Sequence, residues 1–357
     1  MNPPELLLVL IGFGHVGRRL MRLLDEMDDR LAFDTRVVAI ATRRHGSVID
    51  PGGVNASRAI AAVEAGRPLD QLDPDPRERS GIDVLRQAAD ALADEAAEGR
   101  VVAIEASVLD IDRGEPAVSH VRAALEGLMH VVTVNKGPAA FAYRALADLA
   151  IEADRRFLFE GAVMDGVPLF NLVRETMPGV RVDGFRGVIN TTANFVLSAL
   201  ERGEAFDAAV REMQARGIAE ADPRLDIDGW DAAAKTAALV NVLMDGAVTP
   251  HDVARTGIGD VRSADVAQAA SRDRRIRLVA SAARHGSRID ARVEPEMLDR
   301  SDPLAGLADT ENAVYLRTDI LGEVGIVQRT GSLTQTAYAV VSDLARIAAD
   351  GGGGGVR

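Results

Sequence analysis

Residues 6–17, L-L-L-V-L-I-G-F-G-H-V-G, decide how this chain is read. The apolar run 6–11 has the length and composition of a strand buried on both faces. It leads directly into Gly12, Gly14 and Gly17, spaced G-x-G-x-x-G, and the R-R-L-M-R-L-L-D-E-M that follows has the apolar period of a helix. In that setting Gly12 permits a tight turn, Gly14 lets the backbone approach a pyrophosphate, Gly17 allows close helix packing, and the helix N-terminus favours phosphate charge. The stretch predicts a dinucleotide-binding loop that also includes Phe13, His15 and Val16. A purely structural turn is the competing reading.

Outward from this loop, residues 37–41, 101–104, 131–134 and 157–159 read as further buried strands alternating with alanine-rich helical segments. That order predicts an α/β fold with a parallel, doubly wound, Rossmann-type sheet and right-handed crossovers. After residue 159 the texture changes to clustered glycines and turns, then to helices from 194 to about 244, short strands within 292–327 and a last helix over 336–349. The expected division is a nucleotide-binding domain over 1–150, a second, α+β domain over 151–325 and a segment over 326–350 that returns to the first. The glycine tail, 351–357, is expected to be disordered.

The chain has 357 residues, 47% of them hydrophobic, and a net charge of −13, which describes an acidic globular protein with ample core. Without a basic cluster there is nothing to neutralise phosphates, so no nucleic-acid partner is expected. The opening M-N-P-P-E-L-L-L-V-L-I-G has no positive region ahead of its short apolar run, so neither a signal peptide nor a membrane span is expected, and the predicted compartment is the cytoplasm. The absence of cysteine fits that compartment and excludes a thiolate nucleophile, cysteine-ligated zinc and disulfides. The six histidines show no metal-ligand spacing.

Of 41 basic residues two are lysines, Lys136 in V-N-K-G-P and Lys235 in G-W-D-A-A-A-K. Arginine fills every other cationic position, so these two are candidates for chemistry that needs a compact, tunable ammonium, with compositional drift as the alternative. A helix beginning near Asp228, read as its N-cap, would place Asp231 and Lys235 four residues apart on one face. Such a carboxylate can orient and tune the ammonium for acid/base work, or the two can form an ordinary surface ion pair. At the end of the second strand stand Thr42, Arg43 and Arg44, where an NAD enzyme places an acid on the ribose 2′-hydroxyl. Two guanidiniums there favour NADP over NAD, against an exposed basic loop as the alternative. Glu160, ahead of a glycine-punctuated turn, reads equally as a cation ligand or as a cap.

Together G-F-G-H-V-G, V-N-K-G-P, F-E-G-A-V-M-D-G-V-P, G-V-I-N-T-T-A-N-F-V-L and E-A-D-P-R-L-D-I-D-G-W-D-A-A-A-K resemble homoserine dehydrogenase, in order and over residues 6–347. The resemblance implies NAD(P)-dependent interconversion of L-homoserine and L-aspartate 4-semialdehyde, in a short form without a C-terminal regulatory domain. It implies a catalytic and dimerisation role for the second domain, and a homodimer acting on a small amino acid. Lys235 resembles the family's lysine that handles the hydroxyl proton, beside Asp231, and Lys136 its second active-site lysine. Thr192, Glu220 and Asp226 would hold the amino-acid end of the substrate, and Ser107, Asn135 and Lys136 would join the cofactor site. Glu160 and the main chain of Val163, Asp165 and Val167 would match a monovalent-cation site, for instance for sodium. Two stretches depart from the family pattern: N-T-T at residues 190–192 replaces N-G-T, and Q-R-T-G-S-L-T-Q-T-A-Y at 328–338 replaces a glycine-rich run. They leave open a paralogue acting on a modified amino-acid semialdehyde, and a catalytically weak NADP-binding sensor is the remaining alternative.

Overall fold

Buried apolar strands drive two separate sheets. The structure is a computed structural model that describes residues 3–216 and 222–351. The chain divides into two units, the first comprising residues 1–138, 142–168 and 332–357, the second residues 139–141 and 169–331. Glu220 lies outside the described residues, as does the tail beyond Gly351, which itself ends the last helix.

The first unit holds β1 (Glu5–Ile11), β2 (Asp34–Ala41), β3 (Ser47–Ile49), β4 (Val101–Glu105), β5 (His130–Thr133) and β6 (Phe157–Leu158), in the order β3-β2-β1-β4-β5-β6. The pairs β1–β2, β1–β4, β4–β5 and β5–β6 are parallel, as the alternation predicts. The edge strand β3 is the exception: it pairs antiparallel with β2, because the connection through residues 42–46 is too short for a crossover. Since β6 pairs with β5, this unit continues past residue 150 to Pro168. From Leu6 onward β1 is wholly buried. One side of its sheet packs on α1 (His15–Met27), through Leu20, Leu24 and Met27, and on the closing helix (Leu333–Gly351), through Val340, Leu344 and Ile347. The connecting helices are α2 (Ala56–Glu64), α3 (Gly81–Ala91), α4 (Ala93–Ala97), α5 (Ala117–Glu126), α6 (Gly137–Phe141) and α7 (Tyr143–Glu152).

In the second unit α8 (Leu169–Thr176) precedes β7 (Val182–Val188), which feeds α9 (Thr191–Glu201) and α10 (Phe206–Ala215); α11 (Arg224–Ile227) and α12 (Trp230–Leu243) follow. After β8 (Ala254–Arg255) and α13 (Ser263–Ser271) comes a hairpin of two 12-residue strands, β9 (Arg274–His285) and β10 (Arg288–Asp299), then β11 (Asn312–Thr318) and β12 (Glu323–Gln328). The sheet order is β12-β11-β7-β9-β10-β8. The short strands anticipated at 314–318 and 325–327 are present as β11 and β12, whereas the long hairpin was not anticipated. Arg277, fully buried on β9, interrupts the apolar alternation by which a strand is recognised, and it is held by Glu201 at 2.7 Å and by the carbonyl of Leu307 at 2.9 Å. Helices α9 and α12 pack on this sheet; the buried alanines 232, 233, 234, 237 and 238 of α12 let its backbone approach closely. Among the described residues no helix is long and apolar enough to cross a membrane.

Candidate active site

In the first unit the glycine turn is built by close packing. Gly12 has φ +97°, and a Cβ there would lie 2.4 Å from the carbonyl oxygen of Ala106; one on Gly17 would lie 2.9 Å from that of Gly12. Gly14 differs, since a Cβ there meets no atom within 4 Å. Gly14 is also the N-cap of α1, without a side-chain cap, and the first turn holds no acidic residue. An open cradle over uncapped N–H groups suits a pyrophosphate. Phe13 is buried in the core, while His15 is exposed and Val16 half-buried. Thr42 serves its own loop: its hydroxyl accepts from the His45 N–H at 2.7 Å and donates to the Gly46 carbonyl at 3.0 Å, leaving Arg43 and Arg44 exposed at the tip.

The C-terminal ends of β4 and β5, where open α/β sheets bind ligands, are tied by a buried network. Glu105, 1% exposed, accepts from the Ser107 N–H at 3.1 Å and from the Thr133 hydroxyl at 3.1 Å. Asn135 donates to the Ser107 carbonyl at 3.0 Å and accepts from the Gly137 N–H at 2.8 Å, which fixes the backbone on both sides of Lys136, the half-buried N-cap of α6. The Ser107 hydroxyl is buried with no hydrogen-bond partner. That orphan and the open cradle over Gly14 are groups that a bound dinucleotide would satisfy.

Glu160, 2% exposed, opens a 3-10 turn (Glu160–Ala162), and its N–H donates to Asp343 of the closing helix at 3.0 Å. Val163 is buried, Val167 is half-buried, and Asp165 (φ +47°) accepts from the Thr336 hydroxyl at 3.0 Å. No group of three acidic or histidine side chains among the described residues forms a metal site. A carboxylate with main-chain oxygens, the set that the resemblance implies, would suit a hard, weakly charged cation rather than zinc.

In the second unit the strand-to-helix turn β7–α9 gathers the candidate chemistry. Lys235 Nζ lies 3.0 Å from Asp231 Oδ2 and donates to the Ile189 carbonyl at 2.8 Å, with 15% of its side chain exposed. The predicted four-residue spacing is present, but Asp228 is not the N-cap. It ends α11, and α12 starts from Gly229 in the left-handed region at φ +79°, where a non-glycine residue is disfavoured. Asn190 caps α9 by accepting from the Ala193 N–H at 2.7 Å, and its Nδ2 donates to Asp226 at 2.7 Å and Asp231 at 2.9 Å. Burial pushes the Asp226 carboxyl above its ordinary range, and neighbouring Asp231 adds to this; hydrogen bonds from Asn190 and Thr192 and the Lys235 charge oppose it. Thr192, Asp226, Asp231 and Lys235 thus meet in one cluster. Asn190 is the member that sequence reasoning missed; its signal was its place ahead of α9, which reads as a cap.

A family model described as homoserine dehydrogenase matches residues 168–345. The chain is 35% identical, over 96% of its own length and 96% of the relative's, to an NAD(+)-dependent homoserine dehydrogenase of Pseudomonas canavaninivorans. The chain belongs to the homoserine dehydrogenase family. Among solved structures, a putative homoserine dehydrogenase from Archaeoglobus fulgidus matches with TM-score 0.82 and 28% identity, covering 96% of this chain and 99% of that one. A hyperthermophilic archaeal homoserine dehydrogenase in complex with NADPH matches with TM-score 0.79 and 26% identity, covering 97% and 98%. Family membership accounts for the α/β nucleotide unit and the second, catalytic unit alike, and makes the protein an NAD(P)-dependent oxidoreductase acting on a CH–OH group.

Proposed function

We propose that this homoserine dehydrogenase interconverts L-homoserine and L-aspartate 4-semialdehyde, with Lys235 as the acid/base group. The observation that carries the assignment is the anchoring of Lys235 by Asp231 and the Ile189 carbonyl, beside the buried Asp226 and Thr192. Bound nicotinamide supplies the hydride acceptor. Lys235, as the neutral amine, takes the hydroxyl proton as the C–H bond breaks and becomes the ammonium, and in reverse the ammonium returns that proton to the aldehyde oxygen. Asp231 orients the ammonium, Asp226 and Thr192 grip the substrate's amino-acid end together with Glu220, and Lys136 is the second active-site lysine. Steady-state oxidation of L-homoserine under each nucleotide tests this: turnover supports it, and turnover confined to a modified analogue overturns it.

Gly12, Gly14, Gly17 and the backbone of Phe13, His15 and Val16 hold the pyrophosphate, with Thr42, Ser107, Asn135 and Lys136 completing the cofactor site. Exposed Arg43 and Arg44 favour NADP by contacting a 2′-phosphate. Their replacement by alanine should lower the NADP/NAD affinity ratio about tenfold or more, the worth of one charge-assisted contact. An unchanged ratio in direct binding would refute the assignment. Glu160 and the main chain of Val163, Asp165 and Val167 hold a monovalent cation such as sodium. Sodium should then raise the melting temperature of the wild type but not of Glu160→Gln, whereas equal shifts exclude the site. The working form is a cytoplasmic homodimer, for which light scattering should give twice the chain mass.

A further inference from the structure

The proposed chemistry needs two acids and one ammonium at close quarters, and the turn β7–α9 supplies the neutral group between them. We propose that Asn190 is a positioning residue whose two amide hydrogens hold Asp226 and Asp231 in the arrangement that anchors Lys235. The proposal rests on the functional reading above for the roles of those three residues. Asn190 is 3% exposed, and its amide is committed on every side: Oδ1 to the Ala193 N–H at 2.7 Å, Nδ2 to Asp226 Oδ1 at 2.7 Å and to Asp231 Oδ2 at 2.9 Å. The amide cannot be reversed, since that would set N–H against N–H at the helix and a carbonyl against two carboxylates.

Two carboxylates that meet at one amide nitrogen disfavour each other's charge, so the pair tends to take up a proton. A shared proton would weaken both grips, on the substrate's ammonium and on Lys235. Among the described residues, the charged groups acting on Asp226 are Asp231 and Lys235, both on α12, while α9 presents the neutral Asn190 and Thr192. On its own short helix Arg224 is engaged with Asp222, and Arg255 donates to the Asp228 carbonyl and stacks over the Trp230 ring at 3.8 Å. The Asn190 amide donates to both acids at once. Helix capping alone does not call for an amide, because aspartate and serine cap as well as asparagine does.

That equivalence separates the two roles. Asn190→Asp keeps the cap, removes both donors and adds a third carboxylate; Asn190→Ser keeps the cap, adds no charge and offers one hydrogen to two acids. Both variants should raise KM for L-homoserine about tenfold or more, the worth of one charge-assisted hydrogen bond. Both should also move the acid limb of kcat/KM to higher pH, further in Asn190→Asp, with NADP affinity unchanged. A readout independent of turnover is the carboxyl 13C titration of Asp226, assigned with Asp226→Asn. It should rise by about one unit in Asn190→Ser, the scale on which a single partner moves a carboxyl. An Asp226 titration equal to wild type in the serine variant overturns the proposal whether or not homoserine is the substrate. So does either folded variant with wild-type KM and pH profile. Absence of homoserine turnover in the wild type would count instead against the functional reading.

Discussion

Asp226 shows how a side chain serves function at a cost to stability. Burial, and after it the neighbouring Asp231 charge, raises its carboxyl above the ordinary carboxylate range, so the folded protein binds a proton more readily than the unfolded chain. The cost is absent below the unfolded value, grows as pH rises, and is complete above the folded value. Asp226→Asn should therefore melt higher than wild type at pH 7 to 8, with the gap closing toward pH 4, while KM for homoserine rises about tenfold or more through loss of a charge-assisted contact. Thermal scans across that range check it, and a variant less stable than wild type at pH 8 would contradict it. Spacing made the Asp231–Lys235 pair legible, since four residues on a helix always share a face. The role of Asn190 was not legible, because its carboxylate partners lie 36 and 41 residues away and local sequence shows the cap alone. Thr191, which stands where the family has glycine, is also explained by a distant partner: its hydroxyl accepts from the buried Asn312 on β11 at 3.0 Å.

Among elements, β1, its glycine turn and α1 were legible because each step is local: an apolar run, three glycines at fixed spacing, a helical period. The glycines nevertheless do different work, and substitution should separate them. Gly12→Ala meets both a positive φ and a backbone oxygen at 2.4 Å, and should cost about 2 kcal/mol or more, or abolish folding. Gly14→Ala meets open space, so stability should stay within about 0.5 kcal/mol while nucleotide affinity falls. Chemical denaturation beside nucleotide titration distinguishes them; equal destabilisation, or full affinity in Gly14→Ala, would show that the cradle is misplaced. The β9–β10 hairpin was illegible for the opposite reason. R-R-I-R-L-V-A-S-A-A-R-H is poor in β-branched and aromatic residues, and its buried Arg277 is stabilised by Glu201, 76 residues earlier.

At the scale of the whole molecule, the alternation of apolar runs with helical segments predicted the α/β class, because parallel strands need crossover helices. The antiparallel edge strand β3 escaped, being three residues long. Stability of the first unit should also carry a signature of His130, at the start of β5. Its pKa is lowered from 6.5 to about 4, by burial first and then by the charge of Arg155. Between those values the unfolded chain binds the proton that the folded protein refuses, so the contribution of His130 is present above pH 6.5 and is lost as pH falls toward 4. His130→Gln should accordingly lose less melting temperature than wild type between pH 7 and pH 5, and parallel losses would exclude this source. Homoserine turnover through Lys235 is decided by kcat for L-homoserine in Lys235→Ala, with nucleotide affinity measured on the same preparation. A fall in kcat of about 10² or more with affinity retained is the predicted result, the usual contribution of a general acid/base group; a kcat near wild type would contradict the account.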